Sequence, residues 1–209
     1  MALSSSKISY AYPGQKTMNF PEVSCITGET LLILGPSGVG KTTFGKILAG
    51  LIQPQEGAVT INSTHIFDLS AKKRDAFRGK QIGFIPQTFS FAESLTAWDH
   101  FRLFSRWSKS SVSKPEVLGL LQEIGIQDSL DKKPTDLSGG EQQRLAIALG
   151  VFHNPSVIIA DEPTSQLDDK NCQDVIDLLV QLQKTHPFAL LIISHDQRLK
   201  NQFSNLITL

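Results

Sequence analysis

Eight residues, "GPSGVGKT" from Gly35 to Thr42, have the types and spacing to hold phosphate. They fit G-x-x-x-x-G-K-[ST], in which main-chain N–H groups of a glycine-rich loop point inward and the following helix adds its positive end. In such a loop Lys41 reaches the β- and γ-phosphates of a nucleotide and Thr42 ligates Mg2+. Gly35, Pro36, Ser37, Gly38, Val39 and Gly40 are then the cradle. A second group lies at the end of the apolar run "SVIIADEP". Ligands of open α/β sheets collect beyond the carboxyl ends of strands. A carboxylate there can hold Mg2+, often through water, and a second can orient or deprotonate an attacking water. Asp161 is assigned to the metal and Glu162 to the water. An Asp capping the next turn is the plainer alternative, and the phosphate loop weighs against it.

The third group is "LSGGEQQR", residues 137–144. Ser138 is a natural helix N-cap, and Glu141 stands three residues on, the capping-box spacing. Gly139 and Gly140 let another group approach the main chain closely. The start of this helix is a second anion site, exposed and free of bulky side chains. By the residues alone, a capped helix without a ligand is the commoner outcome. His195, after "FALLIIS", and Gln87, after "IGFIP", are lone polar residues that could serve a site or simply cap a turn.

The elements that must position these groups alternate. "TLLILG" reads as a buried strand, and Phe44, Ile47, Leu48, Leu51 and Ile52 share one face of a helix that Pro54 stops. "AVTIN" and "KQIGFI" read as strands with "AKKRDAFR" as a helix between them. From about residue 88 to 153 helical patterns take over, among them "SKPEVLGLLQEIG", with a capping-box Ser113 and Glu116, Pro115 in the first turn and Gly125 at the end. Leu145, Ile147, Ala148 and Leu149 should face a core. Strand and helix then alternate again: "SVIIAD", "DDKNCQDVIDLLVQLQ", "FALLIIS", a short helix in "HDQRLKNQF" and a last strand "NLITL". This order predicts an α/β fold with a largely parallel sheet and an all-helical insertion.

Composition narrows the function. Twenty basic residues balance twenty acidic ones in 209, so nucleic acid is not favoured as a partner. The apolar runs are far shorter than the ~20 residues of a membrane-spanning helix. Work at a membrane would go through a partner. Cys25 and Cys172 fit no metal spacing, and a reduced, cytosolic setting is the plain reading.

Together the motifs resemble those of ATP-binding-cassette (ABC) ATPases. "GPSGVGKTT", through Thr43, resembles the Walker A motif. "VIIADEPTSQLD" resembles Walker B with the D-loop, "LSGGEQQR" the signature, "IPQ" with Gln87 the Q-loop and "SHD" with His195 the switch histidine; Tyr12 stands where the family's adenine-stacking aromatic falls. The match runs in family order along the chain. It implies a P-loop NTPase (RecA-like) core with a parallel sheet and a small antiparallel β part, formed by 1–87 and 154–209, and an inserted helical signature subdomain over 88–153. It implies ATP and Mg2+ as ligands, with Thr42, Gln87 and Asp161 at the metal and Lys41, Glu162 and His195 catalytic.

In the family two cassettes pack head to tail, and the signature of one covers the ATP held by the other. Ser138, Gly139, Gly140 and Gln142 would thus serve a neighbour's nucleotide, in a homodimer or a pair with a close relative. The membrane work belongs to an integral transporter subunit on whose cytoplasmic face the cassette sits, without inserting itself. Phe89, Phe91, Trp98, Phe101 and Phe104 form a dense aromatic set in a segment that, in the family, lines a groove for a short helix of that subunit; Phe89, Phe91 and Trp98 are the expected contacts, with core packing as the alternative. Gln166 departs from the commoner D-loop residue. The compact form resembles the lipoprotein-releasing, macrolide-exporting and cell-division branch. Rival readings are a cell-division-type cassette that signals without transport and a nucleotide-binding module without turnover; a DNA-repair relative would carry a long coiled coil here.

Overall fold

The computed structural model describes every residue except Ser110 and Gln166; the D-loop departure noted at Gln166 therefore lies outside the described residues. Four short strands open the chain: β1 Leu3–Ser5, β2 Ile8–Tyr10, β3 Met18–Phe20 and β4 Val23–Cys25. β5 Thr30–Leu34, α1 Lys41–Leu48, β6 Val59–Ile61, β7 Thr64–His65, α2 Ala71–Gln81 and β8 Ile82–Ile85 follow. Next come α3 Ala97–Ser108, α4 Lys114–Glu123 and α5 Gly139–Val151. Among the described residues no strand interrupts them. β9 Val157–Asp161, α6 Asp169–Thr185, β10 Ala189–Ser194 and β11 Asn205–Thr208 complete the chain.

The strands β11, β5, β10, β9 and β8, in that order, form a parallel sheet. A smaller antiparallel sheet runs β4, β1, β6, β7, and β2 pairs with β3. The fold is the expected α/β P-loop NTPase architecture. Its central strands read as unbroken apolar runs because both faces of the sheet are covered. Alternate residues go to separate cores. Leu31, Ile33, Ile159, Leu191 and Ile193 pack with Phe44, Ile47 and Leu48 of α1 and with the antiparallel sheet. Leu32, Ile158, Leu190 and Ile192 pack with Leu145 and Leu149 of α5 and Leu179 of α6. Leu31 and Leu32 are fully buried, and truncating either to Ala costs about 2–5 kcal/mol.

Two expectations need correction. α1 ends at Leu48, well before Pro54: Gly50 takes a φ of +69°. Its N–H reaches Ile47 O, and the Leu51 N–H reaches Lys46 O, a left-handed glycine closure. Leu51 is consequently exposed rather than on the buried face. "HDQRLKNQF" does not make a helix beyond one 3₁₀ turn, Gln197–Leu199. The Asp196 carboxylate takes both the main-chain N–H and the guanidinium of Arg198, a local alternative to helical pairing.

Candidate active site

Strand register brings the site together. β10 lies between β5 and β9, pairing Ile193 with both Ile33 and Asp161, and Ser194 with Leu34. The segments that leave these strands therefore emerge side by side: the phosphate loop after Leu34, His195 after Ser194, Glu162 after Asp161. Two main-chain bonds fasten them, Gly35 N–H to Ser194 O at 3.2 Å and Glu162 N–H to Ile193 O at 2.7 Å.

The loop before α1 needs its glycines. Gly40 has a φ of +99°, and a Cβ there would stand 2.7 Å from Met18 Sδ. α1 starts without a side-chain cap and without an acidic residue in its first turn. Its positive end is left for an anion. Lys41, almost fully buried, donates to the carbonyls of Gly35 (2.9 Å) and Pro36 (3.0 Å) and pairs with Glu162 Oε1 at 3.3 Å. Thr42 Oγ1 donates to Asp161 Oδ1 at 3.2 Å. Burial pushes the Asp161 carboxyl up; the Thr42 bond draws it down and the charge of Glu162 pushes it up again. The Tyr12 hydroxyl lies 3.3 Å from Thr43 Oγ1, with the Tyr10 ring edge-on to its own at 5.0 Å.

Glu162 is 7% exposed and has a φ of +52°, a sparsely populated conformation that costs about 1–3 kcal/mol for a side-chain-bearing residue. Its Oε2 accepts from Ser194 Oγ (3.3 Å) and His195 N–H (3.3 Å), and lies 2.8 Å from His195 Nδ1. One carboxylate oxygen is held by β10's end while the other faces Lys41. Such a group is oriented and keeps its charge compensated, as a proton acceptor or water-orienting group must.

The expected residues Tyr12, Lys41, Thr42, Thr43, Asp161, Glu162 and His195 are thus linked into one site. The others are not. Ser138 forms the expected capping box: its N–H and hydroxyl donate to Glu141 Oε2 at 2.8 and 2.7 Å, and its Oγ accepts the Glu141 N–H. Gly139 and Gly140 are exposed, and an added Cβ at either would meet nothing within 4 Å. Among the described residues no hydrogen bond or ion pair joins Ser138 or Gly140 to the phosphate loop. The Gln142 amide is turned inward, donating to Pro134 O (2.9 Å) and Leu137 O (3.1 Å). Gln87 is exposed and reaches Ser165 Oγ at 3.5 Å, not Thr42 or Asp161. It lines a groove of about 320 Å³ with Gly139, Gln143, Glu162 and Ser165.

Sequence reading missed Gln143, which donates to Pro163 O, and Ser194 and Asp196. A hydroxyl two residues before an Asp, at a strand end beside the first site, was the available signal. Of the aromatic set, Phe101 is fully buried; Phe89, Phe91, Trp98 and Phe104 are half-buried against the same core. The Phe89 and Phe91 rings lie 4.5 Å apart, tilted by 40°.

With this geometry in view, the comparisons with known proteins are decisive. A family model described as ABC transporter matches residues 19–165. The chain belongs to that family. It is 34% identical over 190 residues to a lipoprotein-releasing system ATP-binding protein of Legionella pneumophila, covering 90% of this chain and 84% of that protein. It is 35% identical over 182 residues to a macrolide export ATP-binding/permease protein of Bdellovibrio bacteriovorus, covering 87% of this chain and 28% of that one. The dimeric structure of a bacterial ABC transporter cassette superposes with a TM-score of 0.86 at 29% identity, covering 99% of this chain and 94% of the other. The same cassette bound to ADP and Pi after hydrolysis gives 0.83 at 28% identity, with the same coverage. This ABC cassette binds and hydrolyses ATP, and its relatives fall in the lipoprotein-releasing and macrolide-exporting branch that the compact form suggested.

Proposed function

We propose that this chain is the ATPase subunit of a membrane transporter and works as a pair of cassettes, each α5 start closing the partner's nucleotide site. One observation carries the reading: Gly139 and Gly140 present an open main chain at a helix start that makes no bond to its own phosphate loop. The loop Gly35–Thr43 holds the phosphates and Tyr12 the base. The hydroxyl of Thr42 and the buried carboxylate of Asp161 are hard oxygen donors 3.2 Å apart, which fits Mg2+. The ion bound there would neutralise phosphate charge. Lys41 adds its own positive charge. Glu162 orients the attacking water and takes its proton, and His195, on the same carboxylate, faces the reacting phosphate. Protein chemistry in phosphoryl transfer is mostly such positioning. Gln87, between β8 and α3, is the link toward the membrane subunit. Glu162→Gln should cut turnover by about 100-fold or more while ATP binding stays, measured by phosphate release and by nucleotide titration. Near-normal turnover would remove Glu162 from this role.

No described helix is long and apolar enough to cross a membrane. Because its relatives are ATP-binding parts of export and lipoprotein-releasing systems, we place the cassette on the cytoplasmic face of a membrane through its partner. Residues 1–87 and 154–209 are the nucleotide-binding core in this reading, and 88–153 the helical insertion. The partner's short helix is best accommodated not by Phe89 and Phe91, which are half-buried against the core, but by a groove of about 630 Å³ between α2 and the end of α3. Leu51 and Trp107, 44% and 60% exposed, border it, and exposed aromatic anchors are the usual hot spots of helix-in-groove docking. Trp107→Ala should weaken co-purification with the membrane subunit and spare nucleotide binding; co-purification undiminished would return the docking role to Phe89, Phe91 and Trp98.

A further inference from the structure

The loop between Glu162 and α6 begins at a strained residue, so something outside it must hold its shape. Asp196, next to His195, is the centre of the fastening. Its carboxylate accepts Arg198 Nε at 2.9 and 3.0 Å, Arg198 Nη2 at 2.7 Å and the Arg198 N–H at 3.0 Å. It also accepts Thr164 Oγ1 at 3.4 Å and Cys172 Sγ at 3.6 Å. The guanidinium does not stop there. Nη2 donates to Leu167 O at 3.4 Å, and Nη1 to Asp169 in the first turn of α6. On the other side, the Asp196 N–H donates to Ser194 Oγ at 3.0 Å, and Ser194 Oγ donates to Glu162 Oε2 at 3.3 Å. One continuous chain of bonds therefore runs from Glu162 through Ser194, Asp196 and Arg198 to Leu167.

We propose that Arg198 is a positioning residue of the ATPase: its planar fork ties the loop that follows Glu162 to the loop that carries His195. The proposal rests on the ATPase reading above. Charge alone does not account for it. Asp169 is 91% exposed and Arg198 40%, and exposed ion pairs contribute little. What matters is that the three nitrogens of one fixed plane reach two segments at once, which a lysine ammonium cannot do. The loss of Arg198 should thus loosen Glu162 and leave the phosphate cradle whole.

The test uses the purified full chain, with Glu162→Gln as the reference for lost turnover. Arg198→Ala should lower kcat about tenfold, a loosened geometry rather than a lost group. KM for ATP should stay within about twofold, because the cradle holding the substrate keeps all its bonds. Assays run well below each variant's Tm, so that an unfolded fraction does not enter kcat. Arg198→Lys keeps the charge and should stay slow. A wild-type kcat in Arg198→Ala overturns the proposal. So does full rescue by Arg198→Lys, or a tenfold rise in KM with kcat unchanged. If Arg198→Ala does not fold, Arg198→Gln, with a planar amide and no charge, takes its place under the same criteria. If wild type and Glu162→Gln turn over equally, the ATPase assignment of Glu162 has failed instead, and the two failures are told apart.

Discussion

Two helices of this cassette begin at glycine-rich turns, and they treat their free N–H groups in opposite ways. α1 has no side-chain cap and no acidic residue at its start, and its Lys41 and Thr42 are tied to Glu162 and Asp161 of another strand end. α5 is closed by a capping box between Ser138 and Glu141, beside the open main chain of Gly139 and Gly140. At the first start Lys41 is buried beneath an exposed Pro36–Gly38 loop; the second is exposed on Ser138, Gly139 and Gly140. The contrast teaches what each is for. A start left open amid buried ionic groups is the half of a site that grips the ligand. A start that satisfies its own N-cap yet keeps a bare main chain beside it is stable alone and offers half a site to another molecule.

The largest effects test that division directly. Glu162→Gln, with ATP bound and hydrolysis blocked, should accumulate as a dimer on size-exclusion chromatography. Adding Ser138→Arg should return it to monomer, since a long charged side chain then fills the close-approach surface. Nucleotide affinity of the monomer should be unchanged by Ser138→Arg. If it falls strongly, α5 serves its own phosphate loop and the contrast collapses.

Much of this was legible because its signals are local. Gly35 to Thr42 fixes a loop, and Ser138 with Glu141, or Ser113 with Glu116, fixes a capped helix start, from a few residues each. The central strands were visible as unbroken apolar runs because both faces of the sheet are buried. β1 to β4 and β7 were not visible one by one, since a two- or three-residue strand is too short to display a period. The end of α1 was misplaced because Pro54 looked like the stop, whereas Gly50 can adopt a left-handed φ four residues earlier. The links Gln143 to Pro163 and Arg198 to Leu167 were illegible for a different reason. They join separate elements, brought near by the packing of α5 against the sheet in the first case and by the pairing of β9 with β10 in the second.

The two starts should also differ in sign when their carboxylates are neutralised. Asp161 lies above the usual carboxylate range because burial outweighs the Thr42 bond. An acid with a raised folded-state pKa binds its proton more readily folded than unfolded. Its ionised form therefore opposes folding at higher pH, and the opposition fades as pH falls through that pKa. Asp161→Asn should raise Tm of the nucleotide-free chain by a few degrees near neutral pH, while abolishing Mg2+-dependent turnover. The gap to wild type should narrow in acid. A Tm at or below wild type near neutrality would mean that Asp161 supports the fold rather than straining it for function.

Glu141 should behave in the opposite way and more weakly. The Ser138 hydroxyl first, and the Ser138 N–H after it, hold the Glu141 carboxyl below the usual range. An acid with a lowered folded-state pKa stabilises the fold above its unfolded pKa, and that support disappears as pH falls through the lower folded value. Glu141→Ala should therefore lower Tm slightly near neutral pH. The difference should shrink toward zero in acid, where wild type has lost the same support. The effect is small because only the cap is removed; Gly139 and Gly140 keep their open main chain. Thermal melts of both variants across the same pH series decide the matter. Opposite signs for Asp161→Asn and Glu141→Ala would separate a carboxylate placed for chemistry from one placed for helix stability. Equal signs would mean that the two helix starts are not built for different tasks.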